Sequence, residues 1–382
     1  MRLGDCCKTN LHTYSDKEKW SLIRYLDTGS ITEGRIDEIQ TLYPGVDKIP
    51  SRARRKASIG DILFSTVRPN QKHYGIIEAG TENLLVSTGF TVVTVDTTIA
   101  DPYFIYYYLT QSSVIESLQA IAEQSTSTYP SIKPSDIEDI ELDLPELETQ
   151  KKIGSTLRML DRKIALNEEI NDNLQQQAAA LFSSLYDRSN TEVRFTDLIQ
   201  ILGGGTPKTG ENTYWNGNIA FFTPKDVGIP YTLITEKTIS KEGLSHCNSR
   251  LYPVNTVFVT ARGTVGKVGM SGVPMAMNQS CYALVGKETH QLLVYFYTLK
   301  AVDRLKHKAS GAVFDAITTR DFESEQIMKL SDDDATAFLR VAEPMFQEVL
   351  NNNIENLRLS TLRDSLLPKL MSGEIDVSAV QL

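Results

Sequence analysis

The feature that most constrains this fold is an unusually long helical segment near the middle of the chain. Residues 145–186 contain no proline after Pro145 and no glycine after Gly154, and most are strong helix formers. Apolar residues and two asparagines recur in alternating steps of four and three, the spacing of a coiled-coil seam. A helix of about 40 residues spans roughly 60 Å, which predicts that it separates two structured parts of the chain. The recurring positions are Ile153, Leu157, Leu160, Ile164, Asn167, Asn171, Leu174, Ala178, Leu181 and Leu185.

The composition favours a cytoplasmic protein of two or three domains. Its 382 residues include no stretch near the roughly 20 apolar residues that cross a bilayer, and the N-terminus lacks a signal-peptide pattern. The cysteines show no metal-ligand spacing and are expected to be reduced thiols. The formal net charge is −9, yet residues 188–330 contain 16 basic and 12 acidic residues, and residues 51–56 (SRARRK) form a basic run. Because local potential governs binding to a polyanion, each globular segment can present a basic surface.

The chain repeats itself once, with a period of about half its length. This period is far longer than the 20–50 residues of a solenoid, and it predicts two copies of a globular domain followed by a long helix. In this alignment Arg68 and Arg262 fall at equivalent positions, each directly after a strand. Either arginine could contact DNA or form a structural salt bridge. The matched segments are residues 2–5 with 194–197, 62–69 with 256–263, 103–109 with 293–299, 131–136 with 316–321 and 166–170 with 350–354.

The repeat predicts a second long helix that begins after Ser331. Asp334, three residues on, completes a capping-box pattern. Pro344 interrupts the apolar stripe early, and Pro368 is expected to end the helix. Two such helices should pair antiparallel, with Asn167 and Asn171 either fixing register in the seam or facing solvent. The predicted seam and subunit-docking residues are Leu157, Leu160, Ile164, Asn167, Asn171, Leu174, Leu350, Ile354 and Leu357.

These patterns predict an α+β fold with an internal pseudo-two-fold repeat. Two similar globular α/β domains are expected to be separated by two long antiparallel coiled-coil helices. Strands are predicted at residues 61–67 and 90–95, a tyrosine-rich helix at 102–122, and a half-buried strand pattern ending at Leu144. The predicted boundaries are 1–144 for the first domain, 145–187 for the central helix, 188–330 for the second domain and 331–382 for the C-terminal helix and tail.

No motif in the chain supports catalysis. Gly205 and Gly210 have the gap of a phosphate-binding loop, but Glu211 and Asn212 stand where Lys and Ser/Thr must follow. The loop could still place backbone N–H groups against a phosphodiester; a plain surface turn is the alternative. The chain has no Asp/Asn-Pro-Pro-aromatic motif of an amino-methyltransferase, and its five histidines form no metal pair.

Four segments carry a resemblance to a known family. Residues 203–227 (GGGTPKTGENTYWNGNIAFFTPKDV), 257–270 (VFVTARGTVGKVGM), the helix at 145–182 and residues 365–375 (SLLPKLMSGEI) together resemble the specificity subunit of type I restriction-modification systems. The resemblance covers essentially the whole chain. It implies two target recognition domains that each read half of a split DNA site, held apart by two antiparallel helices.

The resemblance also implies partners and cofactors. Two modification subunits, which bind S-adenosylmethionine and methylate adenine, would dock along the helices. Restriction subunits, which use ATP and Mg for translocation and cleavage, would join them, while this chain would hold no cofactor and no catalytic residue. The irregular second helix with Pro344 departs from a fully symmetric docking surface.

The expected DNA contacts lie in both domains. Half-sites about one helical turn apart, roughly 34–36 Å, are within reach of the helices. Loops 125–129 and 310–314 are weaker candidates. The alternatives are a self-contained DNA methyltransferase or nuclease, and a coiled-coil scaffold that binds only protein. The candidate DNA-contacting residues are Arg52, Arg54, Arg55, Lys56, Arg68, Lys72, Tyr74, Lys208, Thr209, Lys225, Arg262 and Lys267.

Overall fold

The computed structural model describes residues 1–80, 82–125, 129–228, 230–308 and 316–377. The chain divides into two compact units. Unit 1 comprises Met1–Lys163 and Leu359–Leu382, and unit 2 comprises Ile164–Arg358. Each unit therefore contains one globular domain and a part of each long helix.

The helices include the two long ones that the sequence predicts. The central helix ends at Asp187, and the C-terminal helix runs to Met371 without interruption. The helices are α1 (Pro102–Leu109), α2 (Ser112–Glu123), α3 (Pro134–Glu138), α4 (Leu147–Asp187), α5 (Phe195–Leu198), α6 (Lys241–Ser245), α7 (Gln291–Lys308), α8 (Thr319–Ser324) and α9 (Asp332–Met371).

The strands of unit 1 form two main sheets and one short ribbon. Their orders are β1-β10-β7-β8, β5-β2-β9-β6 and β3-β4. The strands are β1 (Cys7–Thr9), β2 (Ile23–Leu26), β3 (Ile31–Thr32), β4 (Arg35–Ile36), β5 (Gln40–Leu42), β6 (Ala53–Lys56), β7 (Ile62–Ser65), β8 (Tyr74–Ile76), β9 (Leu84–Ser87) and β10 (Phe90–Val95).

The strands of unit 2 repeat this plan. The order β12-β19-β16-β17-β14 matches the first sheet of unit 1 strand by strand and adds one edge strand; β15-β13-β18 and β11-β20 complete the unit. The strands are β11 (Thr191–Arg194), β12 (Ile199–Gly203), β13 (Trp215–Phe222), β14 (Tyr231–Thr232), β15 (Lys237–Ile239), β16 (Val257–Thr260), β17 (Val268–Ser271), β18 (Met275–Met277), β19 (Cys281–Gly286) and β20 (Gln326–Lys329).

The central strand of each main sheet is buried on both faces. In β7, Ile62 and Phe64 pack with the helix side of the domain, whereas Leu63 packs with the second sheet. In β16, Val257 packs toward the helices and Phe258 toward the second sheet. This explains the continuous apolar runs in these strands, because both faces of a central strand are buried from solvent.

Three local predictions are wrong. Residues 102–122 form two helices, α1 and α2, rather than one. The segment ending at Leu144 is not a strand: it makes a single bridge, between Glu141 and Arg2. A single bridged residue does not form a β-ladder. The burial of this segment nevertheless alternates as predicted.

The third wrong prediction is that Pro368 ends the second long helix. Pro344 and Pro368 both lie inside the helix, on its exposed surface. Each removes only one N–H donor, and a solvated carbonyl one turn earlier can bond to water instead. The Ser331 cap forms as predicted, since its hydroxyl accepts a hydrogen bond from the Asp334 N–H at 3.1 Å.

The two long helices pair antiparallel within unit 2. Phe182 of α4 contacts Phe338 of α9, with ring centroids 5.5 Å apart, and Arg188 forms an ion pair with Asp334 at 2.6 Å. In unit 1, α4 and α9 are joined by Asp161 and Arg363.

All four cysteines are free thiols, and burial raises the pKa of Cys281 to about 12.

Candidate nucleic-acid interface

The basic strand β6 of the first domain exposes only part of its charge. The Lys56 ammonium bonds to Glu18, which lowers the pKa of that carboxyl, and it also lies over the Trp20 ring. Arg54 lines an open cavity of about 510 Å³. Arg55 is half-buried, and burial lowers the pKa of its guanidinium. Of the cations predicted here, Arg52 is the most freely exposed.

The hairpin between β7 and β8 places Arg68 and Lys72 on the surface and Tyr74 in the core. Lys72 forms an ion pair with Glu33 at 2.5 Å. Tyr74 is only 6% exposed, and burial raises the pKa of its hydroxyl. The prediction that Tyr74 contacts DNA is therefore wrong, because its ring is buried between Phe64 and α1.

The backbone bonds of the two domains show how the repeats align. The Ile132 N–H donates to the Thr66 carbonyl at 2.8 Å, and the Ile317 N–H donates to the Ala261 carbonyl at 2.9 Å. The two isoleucines are also equivalent in the sequence repeat. Thr66 is thus equivalent to Ala261, one residue away from the alignment that the sequence favours.

This shift means that Arg68 and Arg262 are not equivalent. Arg262 bridges Ala316 as Val67 bridges Ser131. Arg68 is equivalent to Gly263 instead, and both have positive φ angles, 48° and 82°. A shift of one residue turns a side chain toward a different side of the sheet. The two domains therefore present their arginines differently.

The cations predicted in the second domain are all exposed, and their loops meet at one edge of the fold. The Thr264 hydroxyl donates to the Pro224 carbonyl at 3.1 Å, and the Arg262 N–H donates to the Ser280 carbonyl at 3.2 Å. The loops at residues 203–209, 223–227, 261–267 and 277–280 thereby form one surface. Its predicted members are Lys208, Thr209, Lys225, Arg262 and Lys267.

The glycine-rich loop of this surface serves close packing. A Cβ on Gly204 would lie 2.2 Å from the Asn278 carbonyl oxygen, and one on Gly205 would lie 2.7 Å from the Asn248 nitrogen. The Gly205 N–H already donates to the Met277 carbonyl at 3.1 Å. The Gly205 N–H is therefore not available to a phosphodiester, and contact by the other N–H groups of the loop stays a prediction.

Gln279 is an exposed polar residue of this surface that sequence reasoning missed. Its side-chain oxygen accepts a hydrogen bond from the Thr206 hydroxyl, and its neighbour Ser280 is bonded to Arg262. No charge or repeat marks Gln279 in the sequence. Its position just before a buried strand was the only available signal.

The seam of unit 2 contains a cluster of hydrogen-bonded side chains. The Asn167 amide donates to Glu355 at 2.7 Å and to Asn356 at 2.8 Å. Asn171 donates to Asn353 and accepts from Asn352, both at 2.9 Å. Every residue in the predicted seam list is buried or half-buried. Buried asparagines that satisfy one another can fix helix register.

In unit 1, an ion pair connects both long helices to the first domain. Arg363 of α9 bonds to Asp161 of α4 at 2.6 Å, and the Tyr107 hydroxyl of α1 donates to Asp161 at 2.5 Å. Burial and the adjacent Asp161 carboxylate raise the pKa of Tyr107. Burial opposes the charge on Arg363, but the bonds to Asp161 outweigh it, so the pKa of Arg363 is raised.

Two classes of feature are missing from the described part of the chain. Among these residues, no cluster of three or more His, Cys, Asp or Glu side chains could hold a metal ion. No helix among them has both the length and the apolar composition to span a membrane. Of the weaker loop candidates, residues 126–128 and 310–314 lie outside the described residues.

The described chain thus contains two repeated α/β domains, each with exposed cations, and two long helices that pair. Residues 12–176 and 188–329 each match the "Type I restriction modification DNA specificity domain". These matches cover most of the chain, so the chain belongs to this family of type I restriction-modification specificity proteins.

The relatives described here cover most of the chain. It is 25% identical to the type I restriction enzyme HindI specificity subunit of Haemophilus influenzae, with 98% of both chains covered. It is 21% identical to the MjaIX specificity subunit of Methanocaldococcus jannaschii, over 87% of this chain and 83% of that one. The crystal structure of the type I S subunit from M. genitalium shares the fold, with a TM-score of 0.62 at 16% identity over 97% and 95% of the chains.

Proposed function

We propose that this chain is the non-catalytic DNA specificity subunit of a type I restriction-modification enzyme. Each globular domain reads one half of a bipartite DNA target, and the paired helices set the gap between the halves. The observation that carries this proposal is the double match to a DNA specificity domain, once in each repeat. Family membership favours this function over a self-contained methyltransferase or nuclease and over a protein-binding scaffold.

The second domain offers a direct test at Arg262. Its exposed side chain lies on the surface formed by the four loops, beside Gln279 and Ser280. Arg262→Ala should relax recognition in one half-site only, because loss of a good base contact lowers discrimination by roughly 5–150-fold (about 1–3 kcal/mol). The measurement is the methylated sequence produced by the chain together with its modification subunits.

The matched control is Arg320→Ala. Arg320 is also exposed, but it lies on α8, which packs against α5, and it is outside the four loops that form the surface. The Arg320→Ala variant should recognise the same two half-sites as the wild type. A uniform loss of binding to all DNA sequences in Arg262→Ala would make Arg262 a phosphate contact and would contradict its role as a reader.

The partners in this proposal are double-stranded DNA, two modification subunits and the restriction subunits. S-adenosylmethionine, ATP and Mg belong to those partner subunits. The modification subunits need a docking surface on the helices, and α4 offers exposed apolar side chains. Leu166 is 51% exposed and Ile170 is 37% exposed, and four residues apart they share one helix face.

Replacing Leu166 and Ile170 together by lysine should weaken binding of the modification subunits by about 30-fold or more, since each lost apolar anchor costs at least about 1 kcal/mol. Size-exclusion chromatography and calorimetry measure this. Ala179→Lys, an exposed position on the other flank of the seam, is the control and should bind normally. Equal binding by the double variant would exclude this face as the dock.

A further inference from the structure

We propose that Arg68 is a base-reading side chain of the first domain, held ready to contact a guanine before DNA binds. This inference rests on the proposed function and deepens it, because it names one residue and one base.

The backbone at Arg68 is the first observation. Its φ of 48° and ψ of 70° lie in the left-handed region, which residues other than glycine rarely adopt. The second domain builds the equivalent turn with Gly263 at a φ of 82°. Glycine is the residue that such a turn favours. The first domain nevertheless carries a long cationic side chain there, so the turn itself does not explain the arginine.

The surroundings of the side chain are the second observation. The Arg68 guanidinium lies over the Tyr129 ring, 5.4 Å from its centroid, and the Arg68 N–H donates to the Pro130 carbonyl at 3.0 Å. The backbone bond therefore holds Arg68 next to this ring. The guanidinium is a rigid planar fork of N–H donors, and contact with a ring uses none of those donors.

The third observation is the absence of an acidic partner among the described residues. Lys56 and Lys72, two other cations predicted in this domain, are paired with Glu18 and Glu33. Arg68 is exposed, and no carboxylate of the described chain bonds to it. Its donors are thus available to an external acceptor.

The chemistry of such a donor edge favours guanine. The O6 and N7 atoms of guanine are two adjacent acceptors in the major groove, and bidentate arginine is the commonest specific contact to them. Arg68 also lies on the edge of the domain that carries Arg52, because the Thr88 N–H bonds to Arg52 and the Thr66 N–H bonds to Gly89. A phosphate is the other acceptor that the Arg68 donors could bind. The experiment below distinguishes a phosphate contact from a guanine contact.

The test maps the methylated sequence made by the full chain with its modification subunits, for the wild type and for Arg68→Gly. The half-site that Arg262→Ala leaves unchanged is the one read by the first domain. We expect a G·C pair in it, and a loss of preference for that pair by roughly 5–150-fold in Arg68→Gly. The melting temperature should stay level or rise by about 2 °C, because glycine accepts the left-handed backbone.

Two further variants sharpen the result. Arg68→Lys keeps the charge but not the planar donor fork, so it should weaken the preference for the G·C pair while its affinity for non-target DNA changes little. Asn83→Gly, at another left-handed position (φ 53°), should leave the methylated sequence unchanged.

Three outcomes would overturn the inference. These are no guanine in the first half-site, an unchanged sequence in Arg68→Gly, or an equal loss of affinity for every DNA sequence. Failure of the wild-type complex to select any DNA sequence would instead refute the proposed function.

Discussion

Phe182→Ala is expected to destabilise unit 2 by about 3–5 kcal/mol, the usual cost of removing a fully buried aromatic ring. Phe182 is 1% exposed and lies where α4, α7 and α9 meet. Its ring centroid is 4.9 Å from that of Phe296 and 5.5 Å from those of Tyr297 and Phe338. The truncation leaves a cavity between three helices that other contacts hold in place, so the surroundings cannot collapse into it.

Thermal unfolding measures this effect. For a unit of this size, each 1 kcal/mol shifts the melting temperature by about 2–4 °C, so a fall of roughly 6–20 °C is expected. The control is Leu166→Ala on the same helix, where the side chain is 51% exposed and the expected change is within about 0.5 kcal/mol. A loss below about 1 kcal/mol for Phe182→Ala would contradict the packing described for unit 2.

The long helices were the most predictable part of the fold. Their seam period persists over many turns, and the Ser331 cap marks the start of α9. The end of α9 was predicted too early, because Pro368 was treated as a helix breaker. At an exposed position a proline costs one hydrogen bond and a kink but leaves the helix intact.

The repeat was visible in the sequence, but its register in the key hairpin was not. The turn that contains Arg68 is one residue longer than the turn that contains Gly263, since Ser65 bonds to His73 and Thr260 bonds to Lys267. An alignment by residue type favours matching the two arginines. Backbone hydrogen bonds, which sequence similarity does not report, align Arg68 with Gly263.

The sequence did not show which residues form the candidate surface. Their exposure depends on residues that are distant in sequence but close in the fold. Tyr74 follows a basic loop in the sequence, yet its ring is buried. Lys56 and Lys72 look like free cations until their partners Glu18 and Glu33, distant in sequence, are brought beside them. Gln279 has no signal in the sequence beyond its position just before a buried strand.

Lengthening both long helices by one heptad should lengthen the unread gap of the DNA target. Duplicating residues 157–163 in α4 and 359–365 in α9 preserves the seam period and copies the Asp161–Arg363 ion pair. Seven residues add about 10 Å of helix, which corresponds to about 3 base pairs of DNA. The half-site sequences should not change, because the duplication leaves both globular domains intact.

The matched control lengthens only α4. It shifts the asparagine seam of α4 against that of α9, so Asn171 loses its bonds to Asn352 and Asn353. Unpaired buried amides cost about 1–3 kcal/mol each. This variant should therefore be less stable than either the wild type or the double duplication.

Genome-wide mapping of adenine methylation, made by this chain together with the modification subunits of the proposed complex, tests the central claim most directly. The wild type should methylate a bipartite sequence, and the double duplication should methylate the same two half-sites about 3 base pairs further apart. A contiguous target, or a gap that stays the same length in the double duplication, would contradict a chain with two readers and a helical spacer.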